Sequence, residues 1–518
     1  MSIEVAAIRT KGVHYPSRSP FHPSVAYPEY PFQGFLQEEP NVAYDGVREL
    51  FRLMRLDATN MDTAQWNPLG HIVQPGMTVV LKPNFVRSRH YEGKDLFSVI
   101  THPSILRAVA DYCWIALKGT GRIVIADAPN FDTDWDELRQ NLGLQALTDF
   151  FTSRGQSRFE VLDLRDYWGK SRIPFIETRH MPSCERKLKG DPAGVIVVNL
   201  DKRSSLYGRK PEKFYGAVFD RKETITRHTG ARQEYEVSRT VLNADVVISV
   251  PKLKVHKRCG TTLNAKGLVG ICTNKNYLVH YTLGPPSEGG DQYPDNLLTG
   301  FERSIINWER WMYDHLLAPR SLPLELAHRF IFGLLYLKVG ASLGVKVTAS
   351  KRVYEPGCWY ANDSTWRMAT DLMKVAAFAD KQGVVQNNPQ RKWFSVVDGI
   401  IGGENRGPLT PDPVEAGVLI AGENLLAVDI VATRLMGLDP MLLPLYRNLL
   451  ADPHFDFGVR SLEDIKIVSH EAAWTNCLRD RKNPFLGFKP HPGWIGHLEM
   501  PRNAVPSTSK HNHQEKCI

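Results

Sequence analysis

Short unbroken apolar runs alternate along this chain with longer segments whose apolar residues recur every three to four positions. The runs are Met77–Leu81 (MTVVL), Arg122–Ala126 (RIVIA), Phe159–Leu164, Gly194–Leu200 (GVIVVNL), Val246–Val250 (VVISV), Trp393–Val397, Gly417–Ala421 and Ile465–Val468. Runs of this length predict strands covered on both faces. Segments 43–56, 103–118, 134–151, 363–378 and 425–436 have helical spacing; Thr101 or His102 caps the second, and Gly119 stops it. Such alternation predicts an α/β fold, a parallel or mixed sheet core with helices on both faces. Residues 281–360 hold GPPSEGGDQYP, an aromatic helix at 305–316 and an apolar helix at 326–343, and predict a helical insertion or cap. The expected order is an irregular N-terminal arm (1–42), an α/β domain (43–280), that insertion, a second α/β part of the core (361–499) and a disordered tail (500–518).

Composition narrows the class. Of 518 residues, 42% are apolar and 23% charged, as in a folded protein with a substantial core. The net charge of +8 is concentrated: residues 151–260 hold 23 Lys and Arg against 13 Asp and Glu. A local basic excess in an otherwise near-neutral chain points to an anionic ligand. Nucleic acid is not expected, because zinc-finger spacing, RNP-like aromatic motifs and long Lys/Arg runs are missing. The seven cysteines are odd in number and none is spaced CxxC, which argues against a disulfide framework and for a reducing, cytoplasmic compartment. No secretory leader is read at the N-terminus. The longest apolar stretch, 326–343, carries His328, Arg329 and Lys338 and makes a poor bilayer span.

In open α/β sheets ligands bind beyond the carboxyl ends of the strands. There the runs hand over to Lys82-Pro83-Asn84, to Asp127-Ala128-Pro129, to Pro251-Lys252-Leu253-Lys254-Val255-His256 and to Asp398-Gly399, followed by a Gly-rich loop ending Glu404-Asn405-Arg406-Gly407-Pro408. Lys252, Lys254 and His256 alternate, so an extended chain turns them to one side. Crowded cations lower one another's pKa and predict a neutral His256. Residues 260–270 (GTTLNAKGLVG) read as a helix opening whose free N–H groups form an anion site, with Lys266 one turn in. His256, Glu404 and Asp127 are the candidate catalytic groups; Lys82, Asn84, Lys252, Lys254, Lys266, Asp363 and Asp398 are the candidate substrate-binding groups. HExxH, GxGxxG and Walker motifs are missing, so no cofactor is named; a metal site formed by His256, His280, Asp127 and Glu404 stays open.

The handover segments resemble the domain of unknown function 362 family of bacterial and archaeal proteins. The resemblance rests on VVLKPNFV (79–86), THP (101–103), VIADAP (124–129) and ADVVISVPKLKVHKRCGTTLNAKGLVGI (244–271). It continues in KNYLVHY (275–281), WYANDSTWRMATDL (359–372), VVDGIIGGENRGP (396–408) and LLAVDIVATRLMG (425–437). The KNYLxHH-like and WYxND segments are similar to members associated with surface-polysaccharide gene neighbourhoods. Two departures stand out. The ferredoxin-like CxxCxxCxxxC segment of many relatives is missing. The family's Glu-Gly-x-Gly-Pro reads Glu404-Asn405-Arg406-Gly407-Pro408, where Asn405 suits a left-handed turn. The expected function is an enzyme acting on an anionic small molecule, a carboxylate, phosphate or nucleotide-sugar type. The alternatives are a non-catalytic anion-binding or assembly protein and a metal- or cofactor-dependent redox protein.

Overall fold

Alternate residues of the apolar runs point to opposite faces of one sheet, as extended backbone requires. Val79 and Leu81, Ile123 and Ile125, and Val246 and Ile248 pack into one core layer, whereas Val80, Val124 and Val247 pack into the other. The computed structural model describes residues 2–155, 158–169, 185–218, 220–316, 321–332 and 355–500. In chain order its first elements are β1 (Ile3–Arg9), α1 (Val42–Leu53), β2 (Thr78–Pro83), α2 (Pro103–Leu117), β3 (Arg122–Asp127), α3 (Trp135–Asn141), α4 (Leu144–Thr152) and β4 (Phe159–Asp163). There follow β5 (Val195–Asn199), β6 (Glu234–Ser238), β7 (Val246–Val250), β8 (Lys252–His256), β9 (Gly260–Thr261) and α5 (Leu263–Gly267). Further along lie α6 (Gly300–Leu316), α7 (Leu322–Phe332), α8 (Thr365–Phe378), β10 (Lys392–Glu404), β11 (Asp412–Gly422), α9 (Leu425–Leu435) and β12 (Ile465–Val468), with shorter elements between them.

The central sheet has ten strands, eight of them in the order β12-β1-β11-β10-β7-β2-β3-β4, with β8 on β10 and β9 on β8. It is mixed: β10, β7, β2, β3 and β4 run parallel, and β11 is antiparallel to both neighbours. Helices α1, α2 and α4 cover one face, α8 and α9 the other. This is the predicted α/β architecture. His102 caps α2, its Nδ1 accepting the Ser104 N–H at 3.1 Å, and Lys118 ends it in a left-handed turn. No helix among the described residues is long and apolar enough to cross a membrane.

Four expectations need correction. The N-terminal arm is not irregular throughout, because β1 fills a place inside the sheet with Val5, Ala6 and Ala7 fully buried. The single helix expected over 134–151 is two, broken where Gly143 turns left-handed at φ 59°. The GVIVVNL run forms β5 outside the central sheet, paired antiparallel with β6, and Val197 on its outer face is exposed. The Gly-rich loop expected at 398–408 is strand as far as Glu404. Glycine there permits contact rather than flexibility: a Cβ on Gly403 would lie 2.4 Å from the Ser98 carbonyl oxygen. The predicted helix at 326–343 falls partly outside the described residues, and of the tail expected at 500–518 only the buried Met500 is described.

Candidate functional site

Parallel pairing aligns the carboxyl ends of β2, β3 and β7, with Lys82 opposite Ser249 and Lys252 opposite Asp398. The four handover segments therefore do meet at one edge of the sheet. What they form there is a set of buried ions more than an open groove. Lys82 pairs with Asp127 at 2.8 Å, and the same carboxylate accepts the Phe85 N–H at 2.6 Å. Gly270 makes room for that pair, since a Cβ there would lie 1.9 Å from Asp127 Oδ1. Lys252 pairs with Asp398 at 2.9 Å. Asp398 also accepts the Tyr15 hydroxyl and the His102 N–H, so its oxygens are taken by the protein itself. Tyr15 belongs to the N-terminal arm, and its ring stacks on His102 with centroids 4.1 Å apart. Lys82, Asp127, Lys252 and Asp398 are thus two compensated pairs, which leaves little of their charge for a substrate.

Further along β8 the balance changes. Lys254 is fully buried and donates only to carbonyl oxygens, those of Val99 and Pro408. Burial, then the charges of Lys252 and Lys266, hold its ammonium well below the ordinary lysine value. Lys266, on α5, makes no hydrogen bond or ion pair among the described residues; burial brings it down to about 8. Lys275 donates to the Ala128 and Val269 carbonyls and is also brought to about 8, mainly by burial. Arg258 is partly buried beside this group and donates to the Pro356 carbonyl. Three lysines without a carboxylate partner of their own among the described residues lie in the interior, an expensive arrangement for a purely structural role.

Two histidines face the same charges. Burial, then Lys266 and Arg258, hold both His256 and His280 well below the usual imidazole range, which makes both neutral near pH 7. Their tautomers differ. The Arg258 backbone N–H donates to His256 Nδ1 at 3.0 Å, so the ring proton sits on Nε2. His280 Nδ1 lies 3.0 Å from the Leu278 carbonyl oxygen and must donate to it, so Nε2 keeps its lone pair. One neutral imidazole therefore offers a proton and the other accepts one. Of the two, His280 and not the candidate His256 has the free lone pair a base needs. The sequence-level signal for His280 was its KNYLVHY segment. The WYAND segment anchors it: Asn362 Nδ2 donates to the His280 carbonyl at 3.0 Å, and Thr365 Oγ1 at 2.6 Å.

The remaining candidates lie otherwise than expected. Glu404 bonds the Lys489 backbone N–H at 2.9 Å and pairs with its ammonium at 3.4 Å, which ties down the C-terminal segment. Asp363 pairs with Arg209 and Arg367, each at 3.0 Å, and none of these partners belongs to the lysine group. Asn84 N–H donates to Thr101 Oγ1 at 2.9 Å, and its side-chain oxygen is buried without a partner. The helix opening at 260–270 is not a free anion site. Asp429 accepts the N–H groups of Asn264 and Ala265 at 2.8 and 2.9 Å, so a carboxylate of the chain already occupies it. Asn405 does adopt the left-handed turn, with φ 60°. Among the described residues no group of three or more His, Cys, Asp or Glu is placed to hold a metal ion, so His256, His280, Asp127 and Glu404 do not converge as one. Cys113, Cys259, Cys272, Cys358 and Cys477 are unpaired.

Residues 210–434 match the family model described as Domain of unknown function (DUF362). That span holds the uncompensated lysines and both histidines; Lys82, Asn84 and Asp127 precede it. No curated protein and no solved structure matches the chain.

Proposed function

The chain belongs to the DUF362 family, and we propose that it is an enzyme that binds an anionic small molecule over Lys254, Lys266 and Arg258 and moves a proton on it with His256 and His280. The observation that carries this reading is the contrast among the lysines. Lys82 and Lys252 each have a carboxylate within 3 Å, whereas buried Lys254 and Lys266 have none among the described residues. An anion among them recovers the electrostatic energy that the protein forgoes without it. Carboxylate and phosphate oxygens suit the lysine ammonium groups and the Arg258 guanidinium alike. Once such a group is held, His280 Nε2 is the proton acceptor and His256 Nε2–H the donor, both neutral at working pH and so able to act without a prior ionisation.

The test is isothermal titration with inorganic phosphate at constant ionic strength. Wild type should bind, and Lys266→Met should bind about tenfold more weakly or worse, the loss of one charge-assisted contact. Equal affinities in the two proteins would refute the site. A non-catalytic binding protein is the competing reading. It predicts that His280→Gln leaves every property of the purified protein unchanged, whereas the enzyme reading predicts full phosphate affinity with loss of turnover.

A further inference from the structure

A cavity lies toward the other end of β10. It encloses about 430 Å³ between the C-terminal half of α8, the start of β10, the first turn of α9 and the Asp456–Gly458 loop. It adjoins Trp393 of β10, five residues or roughly 17 Å along the strand before Asp398, and Leu268, two residues after Lys266. Its walls are apolar, formed by Leu268, Met373, Ala377, Phe378, Leu426 and Phe457. The volume is that of an ordinary small-molecule site.

Two polar groups in this wall lack full hydrogen bonding. Arg391 is 8% exposed; its terminal nitrogens donate to the carbonyls of Ala376, Ala379 and Leu242, but its Nε has no partner. No carboxylate pairs with it among the described residues, and burial lowers its guanidinium to about 10. Trp393 Nε1 is likewise buried without a partner. Both residues line the cavity, and α9 begins on it through Leu425 and Leu426. The acidic groups at the rim are engaged elsewhere, Glu423 with His71 at 2.7 Å and Asp456 with Arg460 at 3.2 Å. Buried donors that the protein leaves unbonded cost free energy unless an acceptor arrives from outside.

We infer that this cavity is a binding site, separate from the lysine group, for a compact apolar molecule carrying one carboxylate. The tail fills the Leu/Met/Phe wall, and the head accepts hydrogen bonds from Arg391 Nε and Trp393 Nε1 and balances the Arg391 charge. A neutral head of the same length accepts the bonds but leaves the charge unbalanced.

Calorimetric titration of the full chain with decanoate and with 1-decanol tests this. Wild type should bind decanoate about tenfold more tightly than decanol, as a charge-assisted contact to a desolvated arginine implies. Arg391→Met should bring the two to similar affinity. Trp393→Phe keeps the ring and should weaken decanoate about threefold to tenfold while leaving decanol unchanged, the effect of one lost hydrogen bond. Ala377→Phe fills the cavity and should abolish both. Circular dichroism confirms folding of each variant; if Arg391→Met fails to fold, the decision passes to Trp393→Phe, where unchanged decanoate affinity overturns the inference. Failure of wild type to bind, or equal binding of decanoate and decanol, overturns it too. Saturating phosphate should leave decanoate affinity unchanged. Displacement by phosphate would place the carboxylate at the lysine group and overturn the second site while leaving the first intact.

Discussion

Replacing Lys266 by Met should stabilise the ligand-free protein. Methionine nearly matches the length of the lysine stem and keeps its apolar packing while removing the charge. Burial, with Arg258 adding repulsion, brings the Lys266 ammonium from 10.5 down to about 8. At 1.36 kcal/mol for each tenfold change in the proton equilibrium, holding that charge costs the native state about 3 kcal/mol. Imperfect repacking around the new thioether returns part of this, so a net gain of about 1–3 kcal/mol is expected, a rise in Tm of roughly 1–3 °C for a chain of this size. The gain has a pH signature. Unfolded Lys266 titrates near 10.5 and the native side chain near 8. Between these values the unfolded chain holds more protons, so wild-type stability rises with pH. The advantage of the variant is therefore full below pH 8 and closes between pH 8 and 10.5. Urea denaturation at pH 7, 9 and 10.5 in chloride buffer measures it. A variant less stable than wild type at pH 7, or an advantage that does not change with pH, would refute the view of Lys266 as an uncompensated buried charge. A gain in stability with loss of phosphate affinity is the trade-off expected where a binding site is kept at the expense of the fold.

Other outcomes follow from the same geometry. Gly270→Ala places a methyl against Asp127 and Lys82 and should cost about 3–5 kcal/mol by breaking their buried pair, seen as a lower denaturation midpoint; a silent substitution would mean that the loop gives way freely. Asp398→Asn leaves Lys252 without its counter-charge and should cost a similar amount, about 3 kcal/mol. Burial raises Asp429 to about 7, so the native state holds a proton that the unfolded chain releases near pH 4; stability should fall as pH rises from 4 to 7, and Asp429→Asn should flatten that slope in pH-dependent melts. Nitrogen-15 NMR of the imidazoles should find His256 protonated on Nε2, His280 on Nδ1, and both neutral at pH 6; matching tautomers would remove the donor–acceptor assignment.

The local pattern already contained much of the fold. Strands at 78–83, 122–127 and 246–250 follow from unbroken β-branched runs, because only extended backbone buried on two faces accepts them. The cap at His102 and the stop after Leu117 are local chemistry, read within a few residues. The convergence of Lys82, Asp127, Lys252 and Asp398 was legible too, since parallel strands bring their carboxyl ends to one edge. What those residues do there was not, because charge compensation depends on partners remote in sequence. Tyr15 reaches Asp398 from 383 residues away, and Asp429 closes the helix at Asn264 from 165. Glu404 is drawn off by Lys489, and Asp363 by two arginines. The glycines of β10 resemble a ligand loop in sequence, yet tertiary packing uses them to let neighbouring backbone approach. The sequence by itself determined which elements form and which basic residues gather at the strand ends. Only the tertiary structure decided which of those charges stay unpaired, because a buried ion is neutralised by whichever carboxylate the fold brings within about 3–4 Å, wherever along the chain it lies.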